Sequence, residues 1–302
     1  MAYRFKLSEP FDAGMRRIGR QQIDRALAGL DAALDPAVAV HDTRKGLKRL
    51  RALLRLGRPG LDEKVFAAEN HCYRDIGRLL AAPRDRHVLL ETSARLEELA
   101  SGRARSAFTV ARTRLNAANG GAGAPVEPHI IEHALRDLRD ARQRMEALAF
   151  NATGYEVAFD GVQHSYRQAI RAFELARDSA DAEVIHEWRK RVQNHWRHMM
   201  LLSPAWPELF KARIVTTRQL SMGLGEDHDI AMFMNALADD ALGLSATQQR
   251  AIQSVAQSRQ TTLRRQSHAL GKLLFAEKPG IFRNRMRSYW NAAQESASET
   301  AN

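Results

Sequence analysis

Apolar residues recur through the chain at spacings of three and four, and no segment alternates apolar with polar residues over a strand's length. That periodicity predicts helices and no strands. The first helix is expected over residues 11–34, with Ile18, Ile23, Leu27, Leu30 and Leu34 as its apolar side. Asp35 followed by Pro36 is an N-cap with proline at the first helical position, so a second helix should run from there to about Gly57. Arg58-Pro59-Gly60 is a turn, residues 61–82 a third helix, and Pro83 restarts the chain into helices over 84–118, broken near Ser101-Gly102. Residues 119–128, NGGAGAPVEP, read as a linker. Further helices are expected over 129–149, 155–177, 182–202 behind an Asp181 cap, 208–222, 227–242 and 245–275. A short helix should open at Pro279 and end near Trp290, leaving 291–302 as a disordered tail. Amphipathic helices on short connections imply antiparallel bundles, so the fold class is all-α.

The second helix has an unusual polar side. His41, Arg44, Lys48, Arg51 and Arg55 form one stripe at helical spacing, flanked by Lys45 and Arg49, while Val40, Thr43, Leu47, Leu50, Leu53 and Leu54 take the opposite side. A solvated helix relieves such repulsion with interleaved acids. Between Thr43 and Leu61 there is none. The face therefore calls for an anion, and phosphate suits it, because guanidinium forks grip its oxygens in pairs.

The stripe also returns. IHEWRKRVQNHWRHMMLL from Ile185 superposes on it at an offset of 145, placing His186, Arg189, Lys190 and Gln193 on His41, Arg44, Lys45 and Lys48. Arg84-Asp85-Arg86-His87 follows the first copy as Glu226-Asp227-His228-Asp229 follows the second, with Asp85 and Asp227 offset by 142. Ordered recurrence of two motifs implies an internal duplication, with repeats at 5–118 and 129–290.

Charge agrees with the stripe. The 302 residues hold 46 Lys and Arg against 35 Asp and Glu, a net charge of +11, which favours a polyanionic partner. One cysteine, Cys72, excludes an internal disulfide framework. With no secretory h-region and no apolar run of membrane length, a cytoplasmic protein is expected.

Other chemistry is weaker. His41-Asp42 and His228-Asp229 invite a metal-dependent phosphohydrolase, but the two side chains of each pair diverge on a helix, and a cationic stripe repels a metal ion. No nucleotide-binding glycine loop, HExxH or Cys/His cluster is present, so neither metal nor cofactor is expected. Asp85 and Asp227 should cap helices or orient basic residues. His195, Trp188 and Trp196 lie on the apolar side and should be core.

The ordered set His41-x2-Arg44-Lys45-x2-Lys48-Arg49-x-Arg51, His186-x2-Arg189-Lys190-x2-Gln193, Arg84-Asp85, Asp227-His228-Asp229 and FAEKPGIF at 275–282 resembles the CHAD family, the conserved histidine α-helical domain. The resemblance covers about residues 5–290. It implies two helical bundles related by a pseudo-twofold with a basic groove or pore between them, non-enzymatic binding of inorganic polyphosphate, and association with polyphosphate granules. Residues expected to bind are the stripe from His41 to Arg55, with His186, Arg189, Lys190, Gln193 and Arg197. Arg16 and Arg20, Arg74 and Arg78, Arg167 and Arg218 on neighbouring helices complete the set. Gln193, Asn194 and Trp196 stand where the first copy has Lys48, Arg49 and Arg51, so the second half should grip less strongly. If His41 and His186 donate as imidazolium, affinity should fall from pH 6 to pH 8. Nucleic acid is the rival partner that the charge permits, though no basic–aromatic interleaving marks it.

Overall fold

The computed structural model describes residues 3–31, 35–80, 85–117, 127–179, 181–238 and 243–301, with the side chains of 85–87 and 301 left aside. The chain is all-α. Its helices are α1 (Phe11–Asp31), α2 (Pro36–Gly57), α3 (Glu63–Leu79), α4 (Asp85–Glu98), α5 (Gly102–Ala117), α6 (Pro128–Glu146), α7 (Glu156–Arg177), α8 (Ala182–Leu202), α9 (Pro207–Ala238), α10 (Ala246–Leu274) and α11 (Pro279–Ala301). Single 3₁₀ turns, Arg58–Gly60 and Ser203–Ala205, follow α2 and α8. Among the described residues no helix is long and apolar enough to cross a membrane.

Local chemistry starts these helices where the sequence indicates. The Asp35 carboxylate accepts from the amides of Ala37 and Val38, with proline in the first turn of α2. Asp62 and Asp181 do the same for α3 and α8. Ser245 and Gln248 form a reciprocal capping box on α10. Each such cap contributes about 1 kcal/mol.

Two boundaries differ from expectation. Residues 207–238 form one helix rather than two, because Gly223 and Gly225 are held between α10 and α8: a Cβ on either would meet Ser267 Oγ or the Arg189 guanidinium. Glycine weakens a helix without ending it, and tertiary packing decides here. Asp227 is therefore a mid-helix residue, 1% exposed, whose carboxylate takes two hydrogen bonds from Arg264. At the other boundary, α11 does not stop near Trp290 but continues to Ala301. The segment has no glycine or proline to break it, and Gln294 Nε2 anchors it by donating to the Leu7 carbonyl. Leu34, Arg84 and most of the expected linker lie outside the described residues.

The buried side chains fall into three groups. Ile23, Leu47, Leu50, Leu54, Tyr73, Ile76, Leu138 and Met145 join α1, α2 and α3 to α6. Phe5, Phe11, Met15, Leu53 and Leu56 join Val162, Tyr166, Trp188, Phe210, Phe282 and Trp290, tying α1 and α2 to α7, α8, α9 and α11. Leu96, Phe108, Ile230, Phe233, Ile252 and Leu263 join α4 and α5 to α9 and α10. The cores thus do not divide at 119–128 as the expected repeats do. Helix α6 packs with earlier helices, and α4–α5 pack with later ones.

Helix α2 is central because it contributes to two of these cores. Its crossing with α7 is backbone-close: a Cβ on Gly161 would collide with the Leu56 carbonyl oxygen. Its crossing with α8 is marked by His198, fully buried, whose Nε2 lies 2.9 Å from the Ala52 carbonyl and must donate to it. His195 is a core residue, as expected. Its Nε2 accepts from Arg213 Nε at 3.1 Å beneath Tyr166 and Phe282. Trp188 is fully buried, and Trp196, half-buried, has the Arg197 guanidinium 5.7 Å from its ring centre.

Candidate functional site

Burial on α2 follows the two faces read from its sequence. Thr43, Leu47, Leu50, Leu53 and Leu54 are buried, His41, Lys45 and Lys48 are exposed, and Arg44, Arg49, Arg51 and Arg55 are half-buried. The last of these arginines reach the α8 crossing. Arg51 Nε donates to Asn70 Oδ1 on α3 at 3.1 Å, and Arg55 Nη2 donates to the same oxygen at 3.3 Å. Arg55 Nη1 donates to Asn194 Oδ1 on α8 at 3.4 Å. Arg197, one turn further along α8, folds back so that Nη1 donates to the Gln193 carbonyl at 2.8 Å. Gln193 thus serves through its backbone.

None of Arg51, Arg55 and Arg197 has a carboxylate within 4.0 Å among the described residues. Burial, and then Arg51, Arg191 and Arg197 around it, hold the Arg55 guanidinium down to about 10 against the opposing pull of Glu187. Burial likewise brings Arg197 to about 10, with Arg49 and Arg189 adding to the effect against the opposing pull of Tyr3. Arg51 is lowered by burial and by Arg74 and Arg78 on α3, with Asp75 opposing. These shifts trace a cationic band from α3 through the α2–α8 crossing.

The band continues to α7. A cavity of ≈ 430 Å³ opens beside Arg55, with Arg58, His164 and Arg167 among its walls. Its two acids are engaged, Glu63 by Arg58 at 2.7 Å and Asp160 by Arg283 at 2.7 Å. Burial, followed by Arg58, Arg167, Arg191 and Arg171, lowers His164.

At the start of α8, His186 stacks on His228 of α9 with ring centres 4.2 Å apart. Burial, then His228, Lys190 and Arg189, bring His186 to about 4. His186 thus favours the neutral imidazole in the free protein, and an imidazolium donor there would have to form as the anion binds. Gly225 leaves room for the Arg189 guanidinium on α9. Lys190 is held by Glu187 at 3.0 Å and Glu183 at 3.8 Å.

Several residues expected in the site are engaged elsewhere. Arg16 pairs with Asp12 and donates to the Leu148 carbonyl, and Arg20 pairs with Glu146 at 3.1 Å, which turns both toward α6. Lys45 is partly neutralised by Asp42 at 3.0 Å. Arg74 and Arg78 share Asp75 at 2.8 and 3.7 Å, yet remain close enough to act on Arg51. Arg44 Nη1 donates to the Leu80 carbonyl at 3.4 Å, while Arg218 is exposed on α9. Asn70, His164, Arg191 and His228 join the site unforeseen. His228 was legible in the repeated motif; Asn70 carried no sequence signal, because its role depends on α3 meeting α2. Among the described residues, no three His, Cys, Asp or Glu side chains converge as a metal-binding group.

Comparison with known proteins adds a family. No curated protein matches the chain. A solved structure, the crystal structure of the CHAD domain from the plant Ricinus communis, is 17% identical over 97% of this chain and 94% of that one, with a TM-score of 0.44. The profile of the CHAD domain matches residues 17–238, which takes in both stripe helices and the α8–α9 histidine pair. With most of its length matched in this way, the chain belongs to the CHAD domain family, a family linked in general to polyphosphate binding.

Proposed function

We propose that this protein binds inorganic polyphosphate along the band of cations at the α2–α8 crossing, that it does so without hydrolysis, and that binding carries it to polyphosphate granules in the cytoplasm. The observation that supports this best is the selective lack of neutralisation. Arg17, Arg142, Arg144, Arg259, Arg264 and Arg283 all pair with carboxylates, whereas Arg51, Arg55 and Arg197 lie half-buried beside other arginines and two asparagines. Keeping guanidinium charges there costs the free protein stability, and an arriving phosphate oxygen reverses that cost. Polyphosphate supplies such oxygens at every link, so binding should be largely counterion-driven and steeply salt-dependent.

Titration of long-chain polyphosphate against wild type, Arg51→Ala with Arg55→Ala, and Arg20→Ala with Arg142→Ala tests the reading. The first pair should weaken binding at least about tenfold, since each charge-assisted hydrogen bond contributes about 1.5–3 kcal/mol. The second pair, already neutralised by Glu146 and Asp24, should bind like wild type. Equal losses in both pairs, or displacement by duplex DNA at equal phosphate concentration, would mean a generic basic surface. Phosphate release that requires added divalent metal would overturn the non-enzymatic assignment.

A further inference from the structure

We infer that Asn70 and Asn194 are positioning residues of the anion site, neutral acceptors that fix the guanidinium forks of Arg51 and Arg55 while leaving both without a carboxylate in direct contact. The inference rests on the polyphosphate reading and adds a device to it. One oxygen, Asn70 Oδ1, receives Arg51 Nε at 3.1 Å and Arg55 Nη2 at 3.3 Å, and Asn194 Oδ1 receives Arg55 Nη1 at 3.4 Å. Arg55 is thereby held from α3 and α8 at once. A guanidinium has five donors, so these contacts leave the greater part of both forks for phosphate oxygens.

The amide is the informative choice. Acids are available beside each position: Glu69 precedes Asn70 on α3, and Glu187 lies two turns before Asn194 on α8. Both make their ion pairs with other cations, Glu69 meeting Arg144 at 2.5 Å and Glu187 meeting Lys190 at 3.0 Å and Arg191 at 2.6 Å, and Glu187 reaches Arg55 only through its longer-range field. Between the site arginines stands a side chain of the same shape as aspartate and without its charge. A carboxylate there would make a strong internal ion pair and compete with the polyanion. A purely apolar residue would leave flexible arginines to order themselves at the moment of binding, at an entropic cost.

Asn70→Asp separates positioning from charge, because it preserves the acceptor and adds a negative charge. We expect it to weaken polyphosphate binding about tenfold and to make the slope of log affinity against log salt shallower by about 0.7, one phosphate contact fewer. Its Tm should rise by about 2 °C as the arginine repulsion is relieved. Asn194→Asp should change affinity and slope in the same direction. Asn70→Ala, which keeps every cation, should lose about threefold in affinity with the wild-type slope. Wild-type affinity and slope in Asn70→Asp would overturn the inference alone, as would a fall in its Tm together with affinity, the mark of a merely structural residue. Failure of the wild-type protein to bind polyphosphate would instead overturn the functional reading and, with it, this inference.

Discussion

A buried ionisable side chain makes folding depend on pH, and here the sign can be worked out from His198. It is fully buried and held to about 4 by burial, against the opposing hydrogen bond to Ala52 and with the nearby Arg55 and Arg197 adding to the lowering. The unfolded chain takes up this proton near pH 6.5 and the folded one only near pH 4. Stability is therefore fully present above about pH 6.5 and declines as pH falls through that window, by on the order of 2 kcal/mol at pH 5 for this residue. His195, also buried, acts in the same sense. We predict that Tm drops between pH 7 and pH 5, and that His198→Gln, which can still donate to Ala52, has a shallower drop. An identical profile would remove His198 from the account. At this scale the sequence disclosed chemical type but not neutralisation: Arg16 and Arg20 look as free as Arg51, yet Glu146, the partner of Arg20, lies 126 residues away.

Helices as units were largely readable, since the caps at Asp35 and Asp181, the start at Ser245 and the turn at Arg58–Gly60 are local chemistry. What misled was the glycine pair in α9, because a glycine's effect depends on what packs beside it. The same point yields a contrast between two other glycines. Gly161 sits where α7 crosses α2, against the backbone of Leu56, while a Cβ on Gly29, exposed on α1, would meet nothing within 4 Å. Gly161→Ala should destabilise by about 3 kcal/mol or more, because backbone cannot move aside as a side chain end can. Gly29→Ala should stabilise by about 0.5–1 kcal/mol through helix propensity. Thermal unfolding of the two variants checks both, and a tolerated alanine at 161 would show that the helices can separate at that crossing.

For the molecule as a whole, the family match ends at Ala238, whereas the cores do not. Ile252 and Leu263 of α10 complete the group around Phe108 and Phe233, and Phe282 and Trp290 of α11 complete the group around Tyr166 and Trp188. A fragment spanning 17–238 would expose these apolar surfaces and lose Phe5 and Phe11 as well. It is expected to lack a cooperative thermal transition and to aggregate on size-exclusion chromatography, and a monomeric fragment that melts sharply would contradict the packing described here. This long-range dependence was the least legible property of the sequence, because periodicity tells which side of a helix is buried but not by which partner.

The interleaving of early and late helices also has a consequence during synthesis. A ribosome releases the chain from its N-terminus, so α1, α2 and α3 emerge before α6, and α4 and α5 wait for α9 and α10. The tryptophan that closes the largest core, Trp290, lies on α11, after every other helix described. Helices can form as they leave the tunnel, but none of the three cores can be completed from the first 117 residues alone. Nascent chains arrested there should be open to protease and bound by chaperones, and resistance should arrive in stages, first when α6 completes its core and last when α11 has cleared the exit.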